Sequence, residues 1–134
     1  MSVQSDIEAA LVAMLDGAIS GLSSETGPRT PPQAEGVLRA AHVRKTRSAG
    51  TRLEFGQTEV TDQYALTVQW HVSIARKTVI SEWEAFAAAL LADQYLGGAV
   101  TGLVDAFLTE TFWSEAHDAN VRTQAAVIEV ERVE

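Results

Sequence analysis

The chain contains few groups of residues whose types and spacing suit chemistry. His42, His71 and His117 are its three histidines, and none has the His-Glu-x-x-His spacing of a zinc site. The nearest approach to a metal-binding cluster adds Glu115 and Asp118 to His117. Three such residues within four positions seldom point at one ion, and the flanking sequence is typical of a loop. The sequence therefore predicts no metal site.

A glycine-rich stretch at 97–102, GGAVTG, superficially resembles a phosphate-binding loop. It lacks the lysine and the glycine spacing of the nucleotide-binding signature, and it follows a helical pattern instead of a strand. Glycines readily take backbone angles that other residues resist, and they commonly end helices. A helix stop is the interpretation that the sequence favours here.

Two carboxylate pairs, Glu82 with Glu84 and Glu129 with Glu131, have the residue type needed for acid–base catalysis. The first pair lies at the start of a predicted helix, where the helix dipole favours negative charge. The second lies on the solvent face of a predicted strand. No Gly-x-Ser-x-Gly nucleophile pattern occurs. We therefore expect no catalytic residue, no cofactor and no enzymatic activity.

Length and composition indicate one domain with a hydrophobic core of its own. The chain has 134 residues, 46% of them apolar, and it contains no cysteine for disulfides or thiolate metal sites. No basic segment precedes an apolar one at the start, and no apolar run approaches 18 residues. The sequence therefore predicts neither a signal peptide nor a membrane span.

The net charge of −8 is unevenly distributed along the chain. Residues 1–28 carry only acids, residues 29–52 carry six bases and one acid, and residues 53–134 are again strongly acidic. A basic band in an acidic body predicts surfaces that pair between copies or with neighbouring proteins, although a solvated basic loop is an equal alternative. An acidic whole argues against non-specific DNA binding. The candidate interface residues of this band are Arg39, Arg44, Lys45, Arg47 and Arg52.

Three large aromatic side chains require separate interpretation. Trp83 belongs to the apolar stripe of a predicted helix, and we expect it in the core. Phe112 and Trp113 are adjacent and so point in different directions, which can leave one of them partly exposed. Core packing is the favoured interpretation for both, with Trp113 as a candidate interface residue because exposed aromatics are enriched at protein interfaces.

The first third of the chain predicts a helix and a connector. Ser5 and Glu8 have capping-box spacing, and apolar residues then recur at helical intervals, which predicts a helix over 5–22. The following segment, 23–36, is rich in proline and predicts a mobile connector. The remainder, 37–134, is the predicted sheet-and-helix core of the same domain.

The middle of the chain predicts three antiparallel strands. Residues 37–44 alternate ambiguously, Ser48–Gly50 is typical of a turn, and 52–55 is a short alternating segment. The clearest strand is the one at 62–76, because its apolar residues occupy every second position and so share one face. These residues are Tyr64, Leu66, Val68, Trp70, Val72 and Ile74.

The second half predicts two helices and a final strand. Ser81 and Glu84 form a second capping box, an apolar stripe follows, and a further stripe over 100–108 predicts a short second helix. Alternation over 124–134 predicts the last strand. The predicted fold is α+β, an antiparallel sheet of about four strands with helices on one face, in the order α-β-β-β-α-α-β.

The sequence pattern of this half resembles that of a known family. A capped helix ends in the run LLADQYLGG at 90–98, an amphipathic segment follows, and the chain closes with the strand AVIEVER at 126–132. The pattern over roughly 60–134 is similar to the small tail terminator and tail-completion proteins of long-tailed phages and related gene-transfer particles. In that family an Asp…Leu-Gly-Gly step between helices and a final alternating strand recur.

The resemblance implies a structural virion protein without catalytic residues. It implies a hexameric ring in the tail or neck, made in the host cytoplasm, that caps the tail tube and stops its growth. Its partners would be further copies of itself, the tail tube protein and the head–tail connector or stopper protein, with DNA only passing through the lumen. Two alternatives remain open: a head–tail adaptor or stopper neck protein, and a non-viral dimeric α+β module that binds an apolar ligand.

Overall fold

A computed structural model of the chain describes residues 3–26, 38–52, 56–116 and 121–133. In chain order its elements are α1 (Val3–Ala18), β1 (Ser23–Thr26), β2 (Arg39–Arg52), β3 (Thr58–His71), α2 (Arg76–Ala92), a 3₁₀ turn (Leu96–Gly98), β4 (Leu103–Ala116) and β5 (Val121–Val133).

The strands form one mixed sheet in the order β1-β2-β3-β5-β4. β1 is parallel to β2, and the other neighbours are antiparallel. The α+β class is confirmed, but the prediction of four antiparallel strands was wrong, because β1 and β4 were not recognised as strands and the single strand β2 was predicted as two. Residues 23–26 of the predicted connector form β1, and the remainder of that connector lies outside the described residues.

β3 shows the alternation that the sequence predicted, although the strand spans 58–71 instead of 62–76. Its apolar side chains point towards α1 and α2, and we call this side of the sheet the core face. The side chains of Tyr64, Leu66, Val68 and Trp70 are fully buried there. Burying each such side chain contributes about 1.5–3 kcal/mol, which makes β3 the centre of the core.

The two helices cover the core face. The stripe of Ile7, Leu11 and Leu15 on α1 is fully buried, which confirms the predicted first helix, although that helix ends at Ala18 instead of residue 22. α2 begins at Arg76, so Ser81 and Glu84 lie within the helix and the prediction that they cap its start was wrong. Its buried residues are Val79, Phe86 and Leu90.

The predicted helix over 100–108 was wrong, since most of this segment belongs to β4. Register shifts occur between Leu103 and Asp105 and between Leu108 and Glu110. Each shift changes the face on which the following residues lie, so the apolar residues of β4 no longer alternate strictly. Their spacing then resembled a helical stripe.

The predicted turn at Ser48–Gly50 was wrong for a similar reason. β2 is one continuous strand through this segment, and Gly50 pairs with Val60 of β3. A register shift between Lys45 and Arg47 interrupts the alternation in the middle of β2. The predicted strand at 52–55 keeps only Arg52 within β2, because residues 53–55 lie outside the described residues.

The other side of the sheet, which we call the open face, carries no helix among the described elements. By alternation in β3 it includes Gln63, Ala65, Thr67 and Gln69, which are partly buried. A sheet with one helix-covered face and one open face can use the open face and its free edges for contacts with other chains.

Candidate protein–protein interface

The residues that suggested chemistry do not converge on a site. His42 is buried in β2, and the Nδ1 of His71 lies 2.8 Å from the hydroxyl of Ser73 in the turn after β3. Of the cluster around His117, Glu115 lies in β4, while His117 and Asp118 fall outside the described part of the chain. Among the residues that the structure describes, no three His, Cys, Asp or Glu side chains are placed to hold a metal ion.

Arg39 makes its contacts within the subunit. Its Nε donates to Oε1 of Glu82 and its Nη2 to Oε2, both at 2.7 Å. The indole of Trp70 also donates to Oε1 of Glu82, at 3.1 Å. The hydrogen bond from Arg39 lowers the pKa of Glu82 and keeps it ionised. This group ties α2 to the sheet, and a contact of Arg39 with another chain stays a prediction.

Lys45 also has a partner within the subunit, the fully buried carboxylate of Asp62. The Nζ of Lys45 lies 3.5 Å from Oδ1 of Asp62, the hydroxyl of Ser48 donates to the same oxygen at 2.6 Å, and the Nε of Arg132 donates to Oδ2 at 2.9 Å. Burial alone would raise the pKa of Asp62, but these donors and charges outweigh it, so the pKa lies below its ordinary value.

Arg44 and Arg47 are the exposed members of the predicted band. β1 pairs with β2 only from Ala40 to Val43, so from Arg44 onward no strand of the described residues pairs with the outer edge of β2. Alternation and the register shift place both arginines on the open face. The side chain of Arg52 lies outside the description, and its interface role stays a prediction.

The part of the open face that lies farthest from β2, on β5 and β4, is acidic. Glu129 and Glu131 of β5 lie there with Asp105 and Glu110 of β4, and the register places Asp105 directly beside Glu131. On the neighbouring strand β3, the residues that pair with Glu129 and Glu131 are uncharged. One of them, Gln63, donates a hydrogen bond to Glu129 at 3.2 Å. The open face therefore changes from basic at β2 to acidic at β4 and β5. The sequence shows these acidic residues but not that they lie side by side, because that depends on the register between β4 and β5.

β4 is the last strand in the order of the described sheet, and it forms a second free edge. Phe112 and Trp113 near its end are 57% and 40% exposed, so the favoured prediction that both pack in the core was wrong. They point to opposite faces because they are adjacent on a strand. The interface role of Trp113 stays a prediction. Its exposed side chain is accessible to other molecules.

Trp113 also lines a groove between α2 and the sheet. The groove has a volume of about 430 Å³, and it is also lined by Arg76, Ile80, Trp83 and Glu84 of α2 and by Gln124 of β5. Trp83 is partly buried against the core, as predicted, and its ring lies 5.4 Å from that of Phe86. Strand edges that no described strand pairs with, a face with opposed charges and an aromatic groove are features that bind proteins.

Two solved structures are similar to this chain. A chain from the virion of a native gene transfer agent particle matches it with a TM-score of 0.53 and 12% identity, over 100% of both chains. A chain from an extracellular contractile injection system, the PVC sheath/tube terminator in its extended state, matches it with a TM-score of 0.54 and 11% identity. That second match covers 98% of this chain and 57% of the other.

This fold occurs in assembled particles. The resemblance predicted from the sequence is thereby confirmed at the level of the fold. No protein-family model and no curated protein sequence matches the chain. Within the described residues, no helix is both long and apolar enough to cross a membrane.

Proposed function

We propose that this protein is a tail terminator, a structural virion protein that forms a ring on the tail tube, stops its growth and joins it to the head connector. The observation that carries the proposal is the fold shared with a sheath/tube terminator over 98% of the chain. A gene transfer agent virion chain that matches from end to end supports it further.

Two edges that are unpaired within the described part of the sheet support a ring. The unpaired part of β2 from Arg44 onward and the edge of β4 are different surfaces of one subunit, so pairing one with the other is a head-to-tail contact. Head-to-tail contacts close into rings when the rotation between subunits divides a full turn. Backbone hydrogen bonds between edges would supply stability in each contact.

The charges of the open face give this contact a direction. Arg44 and Arg47 lie at the β2 side, while Asp105 and Glu110 lie on β4. Opposite charges across a β2–β4 contact favour it, and like charges disfavour β2–β2 and β4–β4 pairing. The arrangement therefore selects head-to-tail assembly over a two-fold dimer. By the family resemblance, we propose six subunits in the ring.

The acidic part of the open face also suits a DNA channel. Glu129 and Glu131 present carboxylates on the open face of β5, next to the edge strand β4. If this face lines the lumen, phosphates meet few counter-charges, so DNA passes without binding. The partners of the ring faces would be the tail tube protein on one side and the connector or stopper protein on the other.

Electron microscopy and mass measurement test the proposal. We expect the purified protein, alone or mixed with the tube protein of the same particle, to form rings of about the tube's width and six subunits' mass. Added during tube polymerisation, it should cap tubes and stop their elongation. A protein that stays monomeric or dimeric in both conditions and leaves tube growth unchanged would contradict the proposal, and a stable dimer that binds apolar dyes would favour a ligand-binding module.

A further inference from the structure

We propose that helix α1 of a neighbouring copy of this chain lies along the groove between α2 and the edge of β4. The inference rests on the proposed head-to-tail contact, which brings α1 of one copy next to α2 of another. It adds a helix–helix contact to that strand contact and assigns an occupant to the groove that Trp113 lines.

One side of α2 lines two cavities that together form this groove. The first is the cavity of about 430 Å³ described above, and the second, of about 240 Å³, lies further along α2 against Ala106 and Leu108 of β4. The α2 residues of the lining recur every three or four positions and so share one side of the helix. They include Arg76, Ile80, Trp83, Ala87, Leu91 and Gln94. This side is about 27 Å long, close to the about 24 Å of the 16-residue helix α1.

The exposed part of the groove is mostly apolar. Ile80 and Leu91 are 47% and 74% exposed, and Trp113 of β4 adds an accessible indole. From residue 85 to residue 92, α2 has no charged side chain on any side. A helix that is apolar on all sides is typically buried by further protein. The side of α2 that lines the groove therefore indicates a contact with another chain.

The positions of the two helices in the fold bring α1 of a second copy to the groove. On the core face, α1 contacts β1 and β2, whereas α2 contacts β4. α1 therefore lies at one end of the strand order and the groove at the other. In a head-to-tail contact the β2 side of one copy meets the β4 side of the next, so α1 of the first lies beside the groove of the second.

α1 of the same copy cannot fill the groove. Its stripe of Ile7, Leu11 and Leu15 is fully buried against the core, and α1 contacts α2 there. The hydroxyl of Ser24 on the edge strand β1 donates to Oδ1 of Asp16 at 3.0 Å, so this side of α1 points away from α2. Since α2 lies between that side of α1 and its own groove, only a second copy can join the two surfaces.

The side of α1 that faces β1 has small side chains. Val12 lies one helical turn before Asp16, and Ala9 lies two turns before it. Ala9 is exposed, and Val12 is partly buried. Small side chains allow two helix axes to approach to about 8 Å and leave space for larger side chains of the partner. The indoles and Ile80 of the groove are such larger side chains.

The direction of the two helices across the contact follows from the fold. Short turns reverse the chain between α1 and β1 and between β3 and α2, and β1 runs antiparallel to β3, so α1 and α2 are antiparallel. β4 also runs antiparallel to β2, and copies in the same orientation therefore pair these edges in antiparallel fashion. The C-terminal end of α1 then meets the N-terminal end of α2 in the next copy.

This direction places opposite charges together. Arg76 and Glu84 are the charged residues of the described groove lining, and Arg76 lies at the N-terminal end of α2. Asp16 near the C-terminal end of α1 lies beside Arg76, and Glu84 then faces the uncharged Ala9. The other acids of α1 lie on other sides of the helix, Glu8 buried in its own core and Asp6 in the first turn. The contact gains an ion pair without placing like charges opposite each other.

Pairs of introduced cysteines test the contact, because the chain has no cysteine of its own. The full-length variant Ala9→Cys/Glu84→Cys carries both at exposed positions. Under mild oxidation, alone or with the tube protein, we expect disulfides between copies, seen as a ladder beyond the dimer on non-reducing gels. Ala9→Cys/Ala85→Cys is the matched control, since Ala85 is exposed away from the groove, and we expect about tenfold less cross-linking.

A charge exchange tests the register of the two helices. Asp16→Arg should reduce the cross-linking of the Ala9→Cys/Glu84→Cys variant several-fold, and Arg76→Asp added to it should restore the yield. Unchanged cross-linking with Asp16→Arg would overturn the inference. Absence of rescue by Arg76→Asp, in a variant whose thermal unfolding matches that of the wild type, would overturn it as well.

The remaining outcomes separate this inference from the proposed function. A disulfide within one copy, equal cross-linking of the Glu84 and Ala85 pairs, or cross-linking that stops at the dimer would overturn the inference. Rings in electron micrographs without cross-linking through Glu84 would remove the inference and leave the proposed function. Cross-linked ladders that never cap tail tubes would remove the proposed function and leave the α1 contact.

Discussion

At the residue scale, Asp62 is a charged residue without exposure to solvent. Its carboxylate is fully buried and is neutralised by Arg132 and Lys45, with Ser48 as a further donor. Removing one partner of a buried ion pair leaves an uncompensated charge, which is more destabilising than loss of the contact alone. We expect Asp62→Asn to lower the free energy of unfolding by about 3 kcal/mol in urea denaturation.

The matched control for this variant is Glu129→Gln, which neutralises a partly exposed acid on the open face. Its effect should stay within about 0.5 kcal/mol. Equal stability of the two variants would mean that the Asp62 cluster does not hold the β2–β3 pair together.

The pH dependence of stability follows from the same carboxylate. The pKa of Asp62 in the folded protein lies below 3.8, its ordinary value, so the folded state binds the proton less readily than the unfolded state. The associated stability is present above pH 3.8 and is lost as the pH falls through the folded-state pKa. Thermal unfolding from pH 6 to pH 2.5 should show this loss in the wild type and a smaller one in Asp62→Asn, since Glu82 contributes with the same sign.

Gly102 is fixed by a close backbone contact at the start of β4. Its φ is +84°, and a Cβ at this position would overlap the carbonyl oxygen of Val133. The carbonyl of Gly102 also accepts the Val133 N–H at 2.8 Å. We expect Gly102→Ala to destabilise the protein by about 2 kcal/mol or more, because backbone must move and the conformation disfavours a side chain. Gly17→Ala on α1, where nothing lies within 4 Å, should stabilise by about 0.5–1 kcal/mol in the same thermal-unfolding measurement.

At the element scale, one carboxylate holds the first turns of α2 on the sheet. Glu82 accepts two hydrogen bonds from Arg39 and one from Trp70, whose side chain is fully buried. We expect Glu82→Ala to cost about 2 kcal/mol, the value of charge-assisted hydrogen bonds lost together with an unsatisfied indole donor. Hydrogen exchange should quicken in the first half of α2 more than in β3.

Glu84→Ala provides the comparison, because Glu84 is exposed on the same helix. Its stability should change by less than about 0.5 kcal/mol. Similar exchange rates in α2 for both variants would show that apolar packing of Val79 and Phe86, and not the Glu82 contacts, positions the helix.

At the scale of the whole molecule, the opposed charges of the open face should control assembly. We expect Arg44→Glu combined with Arg47→Glu to weaken ring formation and to make the remaining assembly more sensitive to salt, since like charges then meet at the β2–β4 contact. Analytical ultracentrifugation at low and high salt measures both effects.

Two further variants make this test specific. Asp105→Lys and Glu110→Lys added to the reversed chain should restore assembly, because both sides of each contact are then inverted. Lys77→Glu, an exposed reversal on α2, should leave assembly unchanged. Unchanged assembly in the arginine variant would reduce the basic band to a solvated surface.

The sequence by itself determined the elements whose periodicity is undisturbed. The helical stripe of Ile7, Leu11 and Leu15 and the alternation of β3 and β5 were predicted, because one turn of helix or one pleat of strand repeats within a few residues. The α+β class followed from those elements, and the resemblance to particle proteins rested on the run at 90–98, the amphipathic segment after it and the final strand. The exposure of Arg44 and Arg47 also agreed with their charge.

Only the tertiary structure decided which residues face one another. Register shifts in β2 and β4 made strands look like a turn and a helix, because a shift depends on the partner strand as well as on the local sequence. Arg39 and Lys45 belong to the same basic band as Arg44, yet their partners Glu82 and Asp62 lie 43 and 17 positions away along the chain. Local periodicity can reveal a buried face, but charge pairing and strand order depend on long-range contacts that exist only once the chain has folded.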